Sequence, residues 1–203
     1  MMSKKLTFPA MRTRKLARLV SAGLLGLALA GCASAALTVF SLNAPERLPA
    51  TARALPGLLL IAPPSSIQIY ATERIVVREA NGSLSHLPDA QWADQLPALL
   101  QSRLVASFEN SRRITGVSRP GDRVSPDFQL NTEVRAFEID AATGLAVVEL
   151  SVRAVSEASG RVARARVFRA TAPVAEVTPV SAVSALDAAL QKVLVEIVGW
   201  AGA

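Results

Sequence analysis

The chain has 203 residues, a formal net charge of +6 and a hydrophobic fraction of 51%. Six of its 22 basic residues and none of its 16 acidic ones lie in residues 1–18, which leaves 16 of each sign in residues 32–203. Because residues 32–203 carry no net charge, bulk electrostatic binding of nucleic acid is excluded. The single cysteine and single histidine exclude an intrachain disulfide and a zinc site built from these residue types.

Residues 1–31 have the layout of a secretory signal peptide. A basic stretch is followed by the uncharged run Leu19–Gly31, whose 13 residues are fewer than the roughly 20 that a membrane-spanning helix needs. The pattern therefore favours a cleaved leader over a transmembrane anchor, which is the weaker alternative. Met1, Met2 and Met11 all remain candidate starts.

Leu29-Ala30-Gly31-Cys32 ends this leader and resembles the bacterial lipobox. The resemblance implies cleavage before Cys32, which would then carry a diacylglyceryl group and an N-acyl chain. We expect no other cofactor. The second mature residue would be Ala33, and not the Asp that commonly retains lipoproteins in the inner membrane, which favours the periplasmic face of the outer membrane. The alternative is an ordinary signal peptide cleaved at Ala33-Ser34-Ala35, with Cys32 on the discarded piece.

The mature chain divides into two parts. We interpret residues 32–56 as the lipidated N-terminus, the short strand LTVFSL and a proline-rich tether. Residues 57–203 then form one domain, because their number suits a single core and no internal repeat divides them.

The first half of the domain mixes short strands with one helix. GLLLIAPP predicts a buried strand, and Asn81-Gly82 predicts a type I′ turn between two extended runs. A helix follows with Asp94 as N-cap and Pro97 in its first turn. Its buried stripe is predicted at three-and-four spacing, at Leu96, Leu99, Leu100, Leu104 and Phe108.

Three long alternating runs dominate the second half: DFQLNTEVRAFEID, LAVVELSVRAVSE and RVARARVFRATAP. Short connections predict an antiparallel meander. Thr178-Pro179 opens a final helix as cap and first residue. The predicted fold class is therefore α+β, a single domain in which two amphipathic helices pack on one face of an antiparallel sheet.

The residues give no catalytic signature. The chain has no G-x-S-x-G, no glycine-rich phosphate loop and no metal-ligand spacing, and His86 is interpreted as a strand-end residue. Glu138 and Asp140 are interpreted as solvated carboxylates beside a turn. We expect neither a metal site nor enzymatic activity.

Two features are candidates for contact with a partner. Alternation along GRVARARVFRA places Arg164 and Arg166 on one face of a strand and Arg161 and Arg169 on the other. These arginines are interpreted mostly as solvated, with contact to a partner or headgroup as the alternative. Trp92 is interpreted as a packed aromatic at the start of a helix, with an interface anchor as the alternative.

The order of these parts is similar to that of the ABC-type transport auxiliary lipoproteins, which include the paraquat-inducible C-type lipoproteins. The strings that carry the resemblance are LAGC, RIVVRE, SHLPDAQWADQLPALLQSRLVASFENS and ALDAALQKVLVEIVGW. The resemblance implies a noncatalytic periplasmic subunit at the outer membrane that works with an MCE-domain protein, a permease and an ATPase in lipid transport. An assembly of several copies is compatible with it. A lipid-binding carrier and a structural envelope-assembly lipoprotein are the alternatives.

Overall fold

A computed structural model of the chain describes residues 37–46, 48, 55–112, 114–176 and 178–202. The predicted signal peptide, the lipobox and Cys32 lie outside the described residues. Within the described part, no helix combines the length and the apolar character that crossing a membrane requires. One compact unit starts at Leu37.

Nine strands and two α-helices make up the described part of this unit. The strands before the first helix are β1 (Thr38–Phe40), β2 (Leu55–Ile61), β3 (Ser65–Ser66), β4 (Arg74–Arg78) and β5 (Leu84–Trp92), with a short 3-10 helix at Gln68–Tyr70 between β3 and β4. The remaining elements are α1 (Leu96–Ser111), β6 (Ile114–Ser118), β7 (Phe128–Asp140), β8 (Leu145–Ser156), β9 (Val162–Pro173) and α2 (Pro179–Ala201).

Strand β7 organises the sheet. Along one edge it pairs antiparallel with β8 over its whole length, and β8 pairs antiparallel with β9. Along its other edge β7 pairs in parallel with three short strands in succession, β2, β3 and β4, which together take the place of one long neighbouring strand. Strand β6 adds in parallel to β2, and β5 and then β1 add beside β4. The sheet is therefore mixed.

The α+β class, the single domain and the meander of β7, β8 and β9 are confirmed, but a purely antiparallel sheet is wrong. Hydrophobic alternation determines which face of a strand is buried and does not determine strand direction. Parallel pairing requires a long connection. The chain between β4 and β7 contains β5, α1 and β6, which return it so that β7 runs in the direction of β2 and β4.

Both helices pack on the same face of the sheet and contact each other. The predicted stripe of α1 is buried. Helix α2 likewise buries one apolar face, with Trp200 half-buried at its end; the buried residues are Val183, Leu186, Leu190, Val193, Leu194 and Ile197. A register shift between Val134 and Ala136 changes the alternation of β7, so that Leu130 and Val134 before it and Phe137 and Ile139 after it all reach the core. The space between sheet and helices is filled mainly by aliphatic side chains.

The helix starts differ from each other in chemistry. At α2 the prediction is confirmed, since the Thr178 hydroxyl accepts a hydrogen bond from the Ser181 N–H at 3.3 Å and Pro179 follows. At α1 the N-cap is Gln95 and not Asp94, and it makes no side-chain capping bond. The Asp94 carboxylate instead accepts from the adjacent Gln95 N–H at 2.7 Å. Pro97 still lies in the first turn, where a missing N–H costs little.

The turn between β4 and β5 is not type I′. Only Gly82 has a positive φ, at 84°, whereas type I′ requires a second positive φ at Asn81. The Glu79 carbonyl accepts from the Gly82 N–H at 2.8 Å, and the Glu79 N–H donates to the Ser83 carbonyl at 2.9 Å. These bonds describe a three-residue loop closed by a glycine in the left-handed region, the next most common hairpin connection.

The domain begins earlier than the predicted boundary at Gly57. Strand β1 pairs with β5, and the Phe40 carbonyl accepts from the Ala93 N–H at 2.7 Å. Leu42, two residues further on, is only 1% exposed in the core. The Asn43 backbone and side-chain amides both donate to the Asp187 carboxylate on α2, at 2.7 and 3.1 Å. Residues 37–46 therefore form an N-terminal arm of the domain, and part of the predicted tether, residues 47 and 49–54, lies outside the described residues.

Replacing Leu42 with alanine tests whether this arm belongs to the domain. We expect the free energy of unfolding to fall by about 2–4 kcal/mol, because the truncation removes a buried side chain and leaves a cavity. Val39→Ala is the matched control: Val39 lies in the same arm but is 55% exposed, so the loss there should stay below about 0.5 kcal/mol. Urea unfolding followed by circular dichroism measures both. Equal, small losses would show that the arm does not contribute to the core.

Candidate docking surface

Strand β9 is the exposed margin of the meander. Its only sheet partner among the described residues is β8, so its other edge is unpaired. Every residue from Val162 to Val167 is exposed, whereas Phe168 and Ala172 further along are buried under α2. The first half of β9 therefore presents both faces and one backbone edge to solvent.

Two hydrogen bonds show which backbone groups point away from β8. The Val174 N–H donates to the Gly144 carbonyl on the β8 side at 2.9 Å, and the Thr171 carbonyl accepts from the Lys192 ammonium of α2 at 3.0 Å. Residues alternate in an antiparallel ladder between bonding the neighbour and pointing outward. Even-numbered positions from Arg164 onward therefore bond to β8, and the N–H and C=O of Ala165 and Val167 point outward.

Arg164 and Arg166 share a face of β9, as predicted, and both contact the end of α2. Arg164 Nη1 donates to the Trp200 carbonyl at 3.1 Å. Arg166 stacks over the Phe168 ring at 4.9 Å from its centroid, and its guanidinium lies 3.7 Å from a Glu196 carboxylate oxygen. Both partners of that ion pair are about half exposed, so it contributes little to stability. Their role as partner contacts stays a prediction.

Around the first half of β9 the four arginines Arg153, Arg161, Arg164 and Arg166 outnumber the neighbouring acids, Glu157 of the preceding turn and Glu196 of α2. On the opposite face Arg169 is paired with Glu149 at 3.0 Å. Among the described residues, no carboxylate lies within ion-pair distance of Arg153, Arg161 or Arg164. Arg153 belongs to this surface because it lies beside Ala165 in the ladder. We call these exposed residues, Arg153 with Arg161–Val167, the arginine edge.

Trp92 is not part of any surface. It is 1% exposed and packs edge-on against Phe137, with ring centroids 5.8 Å apart. Its backbone N–H donates to the Glu73 carbonyl at 2.7 Å. The interpretation of Trp92 as a packed aromatic fits this position, and the folded domain leaves no part of it for a partner to contact.

A cleft of about 1250 Å³ lies between the N-terminal arm and the outer sides of α1 and α2. It is open to solvent, and Asn110 of α1 donates from its side chain to the Pro45 carbonyl at 3.1 Å across it. Charged and amide side chains border it, namely Asn43, Glu46, Arg103, Asn110, Gln191, Lys192 and Glu196. Five apolar residues also line it, namely Ala44, Pro45, Ala106, Ala188 and Val195. Because the cleft is open to solvent, it does not enclose an acyl chain as a lipid-binding cavity does.

Glu138 is buried, contrary to its interpretation as a solvated carboxylate. It is 4% exposed, and its oxygens accept from Arg78 Nε at 2.6 Å, from Arg78 Nη2 at 3.1 Å and from the Tyr70 hydroxyl at 2.6 Å. The cluster joins the 3-10 helix, β4 and β7. Sequence reasoning missed it because Tyr70 is 68 positions from Glu138, and only the parallel pairing of β4 with β7 brings the three together. Asp140 does lie at a turn, where its carboxylate accepts from the Ala142 and Thr143 N–H groups.

The pKa values follow from these contacts. Burial and the Glu138 carboxylate raise the pKa of Tyr70, and the hydrogen bond to Glu138 raises the pKa of Arg78. The pKa of Asp140 is lowered: desolvation acts in the raising direction, but hydrogen bonds from Thr143 and Ala142 outweigh it.

The Tyr70 shift predicts loss of stability in alkaline solution. The hydroxyl ionises near pH 10 in an unfolded chain and only at higher pH in the folded one. The stability that the neutral hydroxyl contributes is therefore fully present below about pH 10 and is lost as the pH rises through the folded pKa. Tyr70 is the only tyrosine, so ultraviolet absorbance of tyrosinate reports on it alone. We expect its titration to coincide with unfolding, and Tyr70→Phe to remove this part of the pH dependence of stability. Reversible titration near pH 10 in the folded protein would contradict the burial of this hydroxyl.

The described residues contain no group of three or more His, Cys, Asp or Glu side chains arranged to hold a metal ion. His86 lies in β5 beside Val76 of β4.

A family model described as the ABC-type transport auxiliary lipoprotein component matches residues 40–198. An uncharacterized protein of Bradyrhizobium diazoefficiens is 32% identical over 171 residues, which are 84% of this chain and 46% of the relative. The chain thus spans about half the length of this curated relative.

Solved structures show the same fold. A Xanthomonas campestris protein of the DUF330 family model superposes with a TM-score of 0.75 at 29% identity, covering 81% of this chain and 95% of that one. A second crystal structure, of an uncharacterized protein, has a TM-score of 0.65 at 17% identity and covers 80% of this chain and 97% of its own. The second likeness concerns the fold alone.

Proposed function

Because the chain belongs to the ABC-type transport auxiliary lipoprotein components, we propose that it is the noncatalytic auxiliary subunit of an MCE-type system that moves lipids between the inner and outer membranes. The observation that carries this proposal is the family match, which spans the sheet and both helices and not a local motif. In this role the ATPase and the permease are separate subunits. The contribution of this chain is to hold them, through an MCE-domain protein, at the outer membrane.

The anchor in this proposal is the lipid on Cys32. Each buried methylene of an acyl chain contributes about 0.8 kcal/mol, so two or three chains hold a protein at a membrane essentially permanently. Only five peptide units separate Cys32 from Leu37, where the compact unit begins, and they span at most about 18 Å. The folded domain therefore stays close to the leaflet that holds the lipid.

The direction of β1 supports an orientation for the domain. Strand β1 runs parallel to β5, so its N-terminal end points toward the hairpin of β4 and β5 and the turn between β7 and β8. Strand β8 returns along the 13 residues of β7, which span about 40 Å. The opposite end of the sheet therefore holds the turn between β8 and β9 and the arginine edge. We propose that the hairpin end faces the membrane and the arginine edge faces the periplasm.

Affinity purification tests the assembly. The full-length protein, tagged at its C-terminus, is purified from gently solubilised native envelopes, and the co-purifying proteins and lipids are identified by mass spectrometry. We expect an MCE-domain protein together with its permease or ATPase. Recovery of bound lipid without these subunits would favour the carrier function, and recovery of neither would favour a structural envelope-assembly lipoprotein. The cleft beside the N-terminal arm is open to solvent and does not enclose a ligand, which is an argument against the carrier.

A further inference from the structure

We propose that the arginine edge receives a partner protein by strand addition, and that the added segment alternates acidic with apolar residues. This inference rests on the proposed function in that the partner is a subunit of the transport assembly. It adds the surface used, the binding mode and the chemistry of the segment bound.

The first step is the free backbone edge. The N–H and C=O groups of Ala165 and Val167 point away from β8, and no strand among the described residues pairs with them. An exposed edge strand is a template for another chain, and proteins that do not use such an edge cover or bend it. Here the second half of β9 is covered, since Lys192 of α2 bonds the Thr171 carbonyl, and the first half is open.

The second step is charge, which determines the kind of partner. A second copy pairing through the same strand would bring its Arg164 and Arg166 against those of the first, and like charges on adjacent strands are destabilising. An acidic segment would instead form cross-strand ion pairs. Arg164 has no carboxylate partner among the described residues, and the 3.7 Å contact of Arg166 with Glu196 leaves its guanidinium about half exposed for an incoming carboxylate.

The third step is the alternation of faces, which gives the pattern of the segment. Arg164 and Arg166 face the side of the helices, whereas Ala165 and Val167 face the opposite side, where Val167 is 43% exposed. Side chains of an added strand lie beside those of its neighbour on the same face. Acidic residues two positions apart would therefore lie beside the arginines, and small or branched apolar residues between them would cover Ala165 and Val167.

The experiment measures binding of a synthetic peptide to the full-length lipidated protein in detergent micelles. The probe is a fluorescent peptide of alternating glutamate and valine with about seven residues, a typical strand length, and anisotropy gives its affinity. We expect saturable binding that weakens with added salt. The control peptide has lysine in place of glutamate and should not bind.

Two kinds of variant separate the backbone from the charges. Val167→Pro removes one outward N–H without breaking the ladder with β8 and should weaken binding about tenfold, whereas Val167→Thr keeps the N–H and should bind within about twofold of wild type. Arg164→Glu and Arg166→Glu should each weaken binding about fivefold to tenfold. Arg135→Glu, on β7 away from this edge, is the matched control for charge reversal, and thermal unfolding verifies that each variant folds.

Several results would overturn the inference. Absence of saturable binding, equal binding of the lysine peptide, or equal affinity of Val167→Pro and Val167→Thr would each exclude strand addition of an acidic segment. Binding to anionic vesicles that depends on Arg164 and Arg166 but not on Val167→Pro, with no peptide binding, would assign the surface to lipid headgroups. Self-association abolished by Val167→Pro would assign it to a second copy.

The purification of the native assembly distinguishes this inference from the proposed function. If the transport subunits co-purify equally with wild type, Val167→Pro and Arg164→Glu, the auxiliary function stands and the arginine edge is not the docking site. If Val167→Pro and Arg164→Glu lose subunits that wild type and Val167→Thr retain, the auxiliary function and the strand-addition inference both hold. If the peptide binds as expected but wild type brings no transport subunit, strand addition stands and the proposed function is wrong.

Discussion

Glu138→Ala is expected to lower the free energy of unfolding by about 2–3 kcal/mol. The carboxylate is 4% exposed and accepts hydrogen bonds from both Arg78 and Tyr70. Removing it leaves the Tyr70 hydroxyl buried without that partner and removes the ion pair that joins β4 to β7. The Arg78 side chain is 39% exposed, so it regains part of its solvation, and the loss stays below the values for a fully buried charge.

Glu133→Ala is the matched control in the same strand. Glu133 is half exposed and lies 3.8 Å from Arg135, so its removal should change stability by less than about 0.5 kcal/mol. Urea unfolding measures both variants. Combining Glu138→Ala with Tyr70→Phe should cost less than the sum of the two single losses, since the two groups share one hydrogen bond. Equal effects of Glu138→Ala and Glu133→Ala would contradict the cluster.

Cys32→Ser is expected to abolish attachment to the outer membrane. Serine has no thiol to form the diacylglyceryl thioether, and the lipobox resemblance implies that cleavage depends on that modification. An uncleaved precursor with residues 1–31 should accumulate outside the outer-membrane fraction, whereas the wild-type protein should begin at Cys32 and carry acyl chains. Membrane fractionation and intact-mass spectrometry measure the two properties.

Ser34→Ala is the control for this substitution, because it leaves Cys32 intact and should not change fractionation or mass beyond the lost oxygen. If Cys32→Ser is processed and localised normally, the ordinary cleavage at Ala33-Ser34-Ala35 is correct and the lipid anchor is wrong. The family match would remain in that case, since it begins at residue 40, but the membrane attachment would need another explanation.

The parts of the fold that depend on local pattern could be predicted. Alternation along β8 and β9 gave the meander, and Thr178-Pro179 gave the start of α2. The sequence could not show that β7 pairs with β2, β3 and β4 in parallel, because strand direction depends on how distant segments return to one another. The same limit explains why the burial of Glu138 was not predicted. Its position beside a turn is typical of a solvated acid, and the side chains that bury it are distant in the sequence.

The candidate surface was predictable in part. The repeat of arginines in β9 identified Arg164 and Arg166 as sharing a face, because side chains alternate along any strand. Which edge of that strand is unpaired depends on the order of strands in the sheet, which the sequence pattern does not contain. Trp92 illustrates the converse, since a tryptophan before a helix suits a core or an interface equally until its exposure is known.

The interrupted pairing along β7 has a consequence for how the chain folds. Strands β2, β3 and β4 are synthesised and exported before β7, yet the sheet edge they occupy belongs to β7. Their contacts close loops of roughly 60 to 70 residues, as from Leu59 to Phe128, and such non-local contacts form slowly. The hairpins of β7, β8 and β9 are local and can form first. In the N-terminal half the hairpin of β4 and β5 is also local and can form early. Strand β2, however, pairs among the described residues only with the later strands β6 and β7, so its apolar side chains stay exposed to proteases and chaperones until those strands have been exported.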